Sequence, residues 1–578
     1  MTRDGVPDSG FVIRIKDAGD SALLLELEPV IDTRVNARAV AIAAFVRDRN
    51  IDGVRDVVPT FRSVAVHFDP LTTDVENVRA ALGDATAAPT ADAAGRLVEV
   101  PVAYGGGDGP DLADVASFAS ASEQTVIDRH AAREYRVFML GFMPGFAYMG
   151  TVDDSIAAPR RSAPRTSVPA GSVGIAGRQT GIYPRVSPGG WQLIGRTAIR
   201  VFDATRTPPS LFAPGDRVRF VPARRDQGSS IGDPDVQDSR PRAISESRTP
   251  NPESRLVTVI RPGLLTTIQD LGRWGHQDRG VPVAGPMDAV SHRLANALVG
   301  NDAGAAALEA TLLGPELRIE HPTTVAITGA DLAASVDGAT LPLNAPYSCA
   351  AGSVIRFGAR RTGTRAYVAF DGGIDVSPAL GSRATHIAAG LGGMDGRALK
   401  AGDCFALRAS QDGRGHSSRR TSWSTPSWLA RHAQQPSGGA RLRVMRGPQD
   451  DCIDAGTFDA LLRTRFTISP QSDRMGYRLT AGSTRTRPPR GDMISDATFV
   501  GGIQVPPSGE PILLMADRQT TGGYPQIATV ITADLPKAGQ LAPGDWIEFA
   551  ACTRAEAIVA LREQDEALRE QEKAARAV

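Results

Sequence analysis

The sequence predicts a mainly β protein with α+β parts: a small N-terminal α+β domain, and a β barrel or sandwich in each half of the chain. Three observations carry this. Short β-type runs split by Gly and Pro fill most of both halves. A set of segments in the first half recurs in the second. Sixty glycines and 41 prolines, spread without a period through 578 residues, supply the turns that many short strands need. At about 150 residues per domain the length suggests roughly four domains.

Residues 1–84 are expected to form the N-terminal domain. Residues 1–10 are polar and loose. FVIRI (11–15) and SALLLEL (21–27) read as strands around the turn Asp17–Asp20. Val35, Ala39, Ile42, Ala43 and Val46 recur at helical spacing over 33–48. GVRDVVP and SVAVHF read as a further strand pair, followed by a short helix over 74–82. After a connector rich in Ala, Thr and Asp (84–95), residues 97–222 are expected to form the first β domain. It opens on LVEVPVAYGG and has helices over 111–119 and from Ser120-x-x-Glu123, read as a capping box, to Arg133.

Residues 223–254 hold almost no large apolar residue and read as a flexible linker joining two independently folding halves. In 255–408 short strands surround one helix beginning at Pro286, with Val290, Leu294 and Leu298 on one face and Gly300 as its C-terminal cap. Residues 409–440 read as a second connector, 441–552 as the second β domain, and 553–578 as a charged helix opening on Thr553 and Glu556.

Composition excludes several chemistries. Lys+Arg and Asp+Glu are 64 each, so the net charge gives no support to nucleic-acid or membrane-surface binding. Only Lys16, Lys400, Lys537 and Lys573 are lysines. No Gly-Lys-Ser/Thr triplet occurs, hence no P-loop, and no Met-Lys pair for biotin attachment. The four cysteines form no C-x-x-C, and no metal site is expected. No apolar h-region or stretch of 18 apolar residues occurs, so the expectation is a reduced cytoplasmic protein.

The recurrence between the halves has two parts. Pro214-Gly215-Asp216 and Pro543-Gly544-Asp545 each precede an alternating run and read as turns. Arg178-Gln179-Thr180, followed by Gly181 and Tyr183, matches Arg518-Gln519-Thr520-Thr521, followed by Gly522 and Tyr524. An arginine fork fits a carboxylate, Gln both donates to and accepts from an amide, and Thr adds a hydroxyl. Together they suit a small anionic amide. The alternative is a polar strand end whose Arg pairs with a surface carboxylate. The second copy, with Asp517 beside it, is the favoured catalytic set (Asp517, Arg518, Gln519, Thr520). The first copy, with Thr521, Tyr524, Arg474, Asp270 and Asp288, completes a substrate-binding set. For Asp288 dipole complementation at a helix start is the leading reading. Arg474 binds an anion or pairs with a carboxylate. Phe142, Phe146 and Tyr148, and similarly Trp191, read as hairpin core in preference to a ligand-stacking platform, and His67, His130 and His292 as structural.

The segment GFMPGFAYMGTVD…PRRSAPRTSVPAGSVGIAGRQTGIYPRVSPGGWQLIGRT resembles the KipI family, also called allophanate hydrolase subunit 1 or the 5-oxoprolinase B subunit. GLLTTIQDLGRWGHQDRGVPVAGPMDAVSHRLANALVGN, SPQSDRMGYRL and IQVPPSGEPILLMADRQTTGGYPQIATVI resemble KipA, or the 5-oxoprolinase C subunit. The chain thus resembles a fusion of the two. The resemblance implies duplicated cyclophilin-like β-barrel domains, ATP-dependent opening of 5-oxoproline to glutamate, ATP at a site of unknown position, and a 5-oxoprolinase A subunit of the LamB/YcsF type as a separate chain. Competing implications are the carboxyltransferase part of a urea or amide carboxylase with an external biotin carrier, and a KipI-type kinase regulator. One departure stands out: Ser495-Asp496-Ala497 replaces an expected Ser-Glu-Gly, which weakens the assignment if that Glu contacts substrate.

Overall fold

The computed structural model describes residues 13–87, 95–223, 255–410, 438–482 and 493–577. The loose N-terminus, nearly all of the linker (223–254) and most of the connectors (84–95 and 409–440) expected from composition lie outside the described residues, although 84–87 prolong a helix and 439–440 open a strand. No helix among the described residues is long and apolar enough to cross a membrane.

The N-terminal domain is a four-stranded antiparallel sheet in the order Arg14–Asp17, Ala22–Glu26, Ser63–Phe68, Val54–Pro59. The helices Thr33–Asp48 and Val75–Ala87 accompany it. The apolar positions read at helical spacing in the first of these are all buried. Asp32 starts that helix by accepting hydrogen bonds from the amides of Arg34 and Val35.

Two closed seven-stranded barrels follow, one in each half. Numbered by chain order, the strands of both run 1-6-4-5-3-2-7 around the barrel. In each, first and last strands pair in parallel: Leu97–Tyr104 with Arg217–Pro222, and Gly439–Arg446 with Trp546–Ala551. The Pro-Gly-Asp segments are turns into those last strands, as read from the sequence. Gly215 and Gly544 have φ of 97° and 91°, and Asp216 and Asp545 accept the amides of Ala213 and Ala542. The duplication is therefore one of whole barrels.

The Arg-Gln-Thr segments, however, are not equivalent within it. Gln179–Ile182 is the fifth strand of the first barrel, whereas the fifth strand of the second is Ile512–Leu514. Arg178 thus precedes the fifth strand and Arg518 follows it.

Between the barrels, residues 255–410 build a seven-stranded and a five-stranded sheet around the helix Ala289–Leu298. That helix begins three residues beyond Pro286, because extended Asp288 is its N-cap and accepts the Ser291 amide. The helix Glu123–Ala131 is likewise capped by Ser122; Ser120, read as the cap, has a left-handed φ of 48°. The last helix, Arg554–Ala577, carries the expected box: Thr553 and Glu556 exchange backbone and side-chain hydrogen bonds.

The halves are not separate packing units, contrary to the expectation from the linker. Ala497 and Phe499 complete an apolar cluster with Ala22, Leu24, Val58 and Ala65 of the N-terminal sheet. Buried Asp56 accepts the Gly275 amide at 2.9 Å and both the amide and side chain of Gln277 at 3.2 and 3.0 Å. Asp20 accepts the amide and hydroxyl of Thr532. A chain of opposite charges, Asp451–Lys16–Glu26–Arg62, crosses the same seam.

Cleavage within 224–254 should therefore leave both pieces co-eluting in size-exclusion chromatography, and separate peaks would contradict a shared core. Burial pushes the Asp56 carboxyl up to about 6, despite its three donors. Because this folded value lies above the ordinary one of about 4, the stabilisation is complete below that pH and is lost as pH rises through about 6. The melting-temperature difference between wild type and Asp56→Asn should thus shrink from pH 4 to pH 7 in thermal melts; a pH-independent difference would contradict the assignment.

Candidate functional site

Alternation along the second barrel's strands sorts side chains into two sets. Tyr477, Leu479 and Leu513 enter the barrel core, while Gly476, Arg478, Ile512 and Leu514 face outward. This outward face meets a hairpin of the first half, residues 141–146, which joins the strands Glu134–Leu140 and Ala147–Gly150. A cavity of about 710 Å³ opens at the junction. The first half contributes Phe142, Tyr148 and Arg160; the second contributes the strand face, Asp473, Gln504, Gln519 and the segment from Thr521 to Pro525.

The cavity's charged groups are Arg160, Arg478 and Asp473. Both arginines are exposed, and neither has an ion-pair partner among the described residues. Asp473 accepts the amides of Met475 and Gly476. Gln519 brings a side-chain amide, and its carbonyl accepts the Thr498 hydroxyl. The Thr521 hydroxyl accepts the Phe142 amide at 3.1 Å and is also hydrogen-bonded to Tyr148, whose phenol burial pushes up to about 12. The cavity can thus offer guanidinium forks to an anion and amide and hydroxyl groups to a neutral polar group.

Of the favoured catalytic set, only Gln519 lines this cavity. Arg518 is 2% exposed. It lies in the seam between the halves, donating to Gln277 Oε1 at 2.6 Å and the Thr498 carbonyl at 3.4 Å, while its Nε has no partner among the described residues. Burial lowers its pKa to about 10. The open fork expected of it is therefore absent: its side chain is used in binding Thr498 and Gln277 together.

Asp517 receives two hydrogen bonds from buried Arg474, at 3.0 and 2.8 Å. Arg474 also bonds Glu309, and Glu309 accepts the Tyr367 hydroxyl and the Met287 amide. The guanidinium holds the Asp517 carboxyl below its usual range, and the carboxylates raise the pKa of Arg474. Of the two readings for Arg474, the carboxylate pairing is the one observed. The Thr520 hydroxyl is buried without a partner among the described residues.

In the substrate-binding set, Thr521 and Tyr524 line the cavity. Arg178 is exposed and pairs with Asp154 at 2.9 Å, the surface alternative considered above. Gln179 is a barrel-strand residue paired with Gly150 and Ala176. Thr180 donates to the Gly174 carbonyl and bonds His130, whose other ring nitrogen meets Tyr104. Tyr183 packs edge-on against Phe146 and Trp191. Asp270 accepts from Gly272, Ser382 and Arg383, tying one loop to another. Asp288 caps its helix and accepts from Gln540. None of these six reaches the cavity. Asp496 also points elsewhere: it accepts from Ser63 and Thr60 of the N-terminal sheet, so the departure from Ser-Glu-Gly changes the seam rather than the cavity wall.

Sequence reading missed Arg160 and Arg478. For Arg478 a signal was present: it alternates with Tyr477 and Leu479 in MGYRL, which puts it on the face away from the core. Removing a partner from a buried pair costs about 3–5 kcal/mol. Asp517→Asn should accordingly lower the melting temperature sharply, whereas exposed Arg478→Gln should leave it unchanged; equal melts for both variants would contradict this division.

Comparison with known proteins agrees with the two-half architecture. Residues 13–212 match the family described as carboxyltransferase domain, subdomain C and D, and residues 279–551 that of subdomain A and B. The chain is 42% identical to the 5-oxoprolinase B subunit of Bacillus subtilis, over 92% of that protein and 36% of this chain. It is 38% identical to the 5-oxoprolinase C subunit of Escherichia coli, over 95% of that protein and 54% of this chain. The urea amidolyase of Saccharomyces cerevisiae is 33% identical over 51% of this chain and 17% of its own length. The crystal structure of TTHA0988 superposes with a TM-score of 0.78 at 35% identity, covering 92% of this chain and 99% of that one. The chain therefore belongs to the carboxyltransferase-domain family that includes the B and C subunits of 5-oxoprolinase, and it carries the counterparts of both in one polypeptide.

Proposed function

We propose that the protein is a fused B/C component of an ATP-dependent 5-oxoprolinase, opening 5-oxoproline to L-glutamate together with a separate A-type partner chain. The observation that carries this reading is the cavity shared by the two halves, to which each contributes an arginine without an ion-pair partner among the described residues. A five-membered lactam bearing a carboxylate presents one anion and one flat amide. Arg478 or Arg160 takes the carboxylate in a charge-assisted fork, and Gln519 pairs with the lactam amide. The similarity to whole B and C subunits supports the same reading.

Lactam hydrolysis needs activation, and we assign ATP to the partner chain. Lys16, which is drawn into the structure, is engaged by Glu26 and Asp451, and no lysine lines the cavity among the described residues. The role of this chain's residues is then to hold the substrate carboxylate, to orient the amide and to shield it from water behind Phe142 and Tyr148.

A second reading, the carboxyltransferase of a urea carboxylase, draws on the subdomain descriptions and the urea amidolyase similarity. Urea itself carries no carboxylate, and in that reading the arginines would face the carboxylate of carboxybiotin brought by an external carrier, so turnover rather than the arginines separates the two. The two readings are separated by reconstitution with a candidate A-type partner. Glutamate should form from 5-oxoproline and ATP. Arg478→Gln should raise KM for 5-oxoproline roughly 10- to 100-fold, the loss of one charge-assisted hydrogen bond. Urea-driven turnover of carboxybiotin without 5-oxoproline turnover would overturn the proposal.

A further inference from the structure

Phe142 has a φ of +64°, a left-handed conformation that bulky L residues seldom adopt. It stands between two glycines of the same hairpin, Gly141 and Gly145, so the loop already places glycine where close approach or φ requires it. The second half fixes the conformation at several points. The Phe142 amide donates to Thr521 Oγ1 at 3.1 Å. A Cβ on Gly141 would fall 1.9 Å from that same oxygen. The Gly145 amide donates to the Arg279 carbonyl at 2.9 Å, and Gly280 packs directly against Met143. A strained backbone held from several sides is the pattern found where position matters.

The half-buried Phe142 ring lines the cavity beside Tyr148 and braces its edge on Phe146, with ring centroids 5.5 Å apart. Resting on the lactam-site reading above, we propose that Phe142 is a substrate-positioning residue: its ring is the wall against which a flat cyclic amide lies, and Thr521 of the opposite half holds it there. The lactam offers a flat, neutral amide that can lie offset on the ring face while its edge meets Gln519, whereas proline offers a charged ammonium and no amide plane. The site would accordingly select a lactam ring over the saturated ring of proline, although both carry the carboxylate that the arginines take. The Thr521 bond makes this selectivity depend on both halves.

The test is an NMR titration of the full chain with 5-oxoproline and, separately, with proline, alongside thermal melts. Wild type should prefer 5-oxoproline. Phe142→Leu, which keeps bulk without a flat face, should weaken 5-oxoproline roughly three- to tenfold and leave proline unchanged. Thr521→Val should weaken it similarly. Phe142→Gly should melt at or above Phe142→Ala, the reverse of the usual order, because glycine accepts the left-handed backbone. If wild type binds 5-oxoproline and Phe142→Leu binds it equally well, the positioning role is overturned while the functional reading stands. If wild type binds no 5-oxoproline, the functional reading falls and this inference with it. An alanine variant that melts above the glycine variant would overturn the strain at Phe142.

Discussion

Arg518 sits in the seam between the halves with its charge held by Gln277 Oε1 and the Thr498 carbonyl. Gln277 in turn donates to Asp56 of the N-terminal sheet, so one chain of buried hydrogen bonds runs from the first half, through the loop before the Ala289–Leu298 helix, to the second barrel. Buried polar groups are costly unless they find a partner, and Asp56 and Gln277 find each other across the seam. Pulling the halves apart would return Asp56, Gln277 and Arg518 to water and expose Ala497 and Phe499 as well. The cavity depends on that seam, because Phe142, Tyr148 and Arg160 face Arg478 and Gln519 only while the two halves are docked.

A second buried network supports the same wall from behind. Arg474 joins Asp517 to Glu309, and Glu309 is fixed by Tyr367 and the Met287 amide. Asp517 and Arg518 precede Gln519 directly, so two consecutive residues are anchored in different networks before the chain emerges at the cavity. The polar atoms presented to a ligand are thereby placed by residues that do not themselves touch it. Mutations at Asp517 or Arg518 would act on the site through position and stability, whereas mutations at Arg478 would act through contact.

Much of the fold was legible in the sequence. Turns spelled Pro-Gly-Asp before alternating runs reported a duplicated β unit, and the motif strings reported its relatives. The offset of the Arg-Gln-Thr segments by one strand was not legible, since a string of three residues does not say which hairpin it occupies. Nor was the fate of the arginines. Arg474 bonds Glu309, 165 residues away, and Arg518 bonds Gln277, 241 residues away; no local pattern encodes such pairing. Alternation did mark Arg478 as outward-facing, but it became a site residue only once the first half was seen to cover that face.

The central claim is that the shared cavity, rather than either Arg-Gln-Thr arginine, receives the substrate. The most direct measurement is a crystal structure of the protein grown with 5-oxoproline. The expected result is a flat ring within the cavity, its carboxylate in reach of Arg478 or Arg160 and its face toward Phe142. An ordered ligand at Arg178, or one that reaches Arg518 by displacing Gln277, with the cavity left empty, would contradict it.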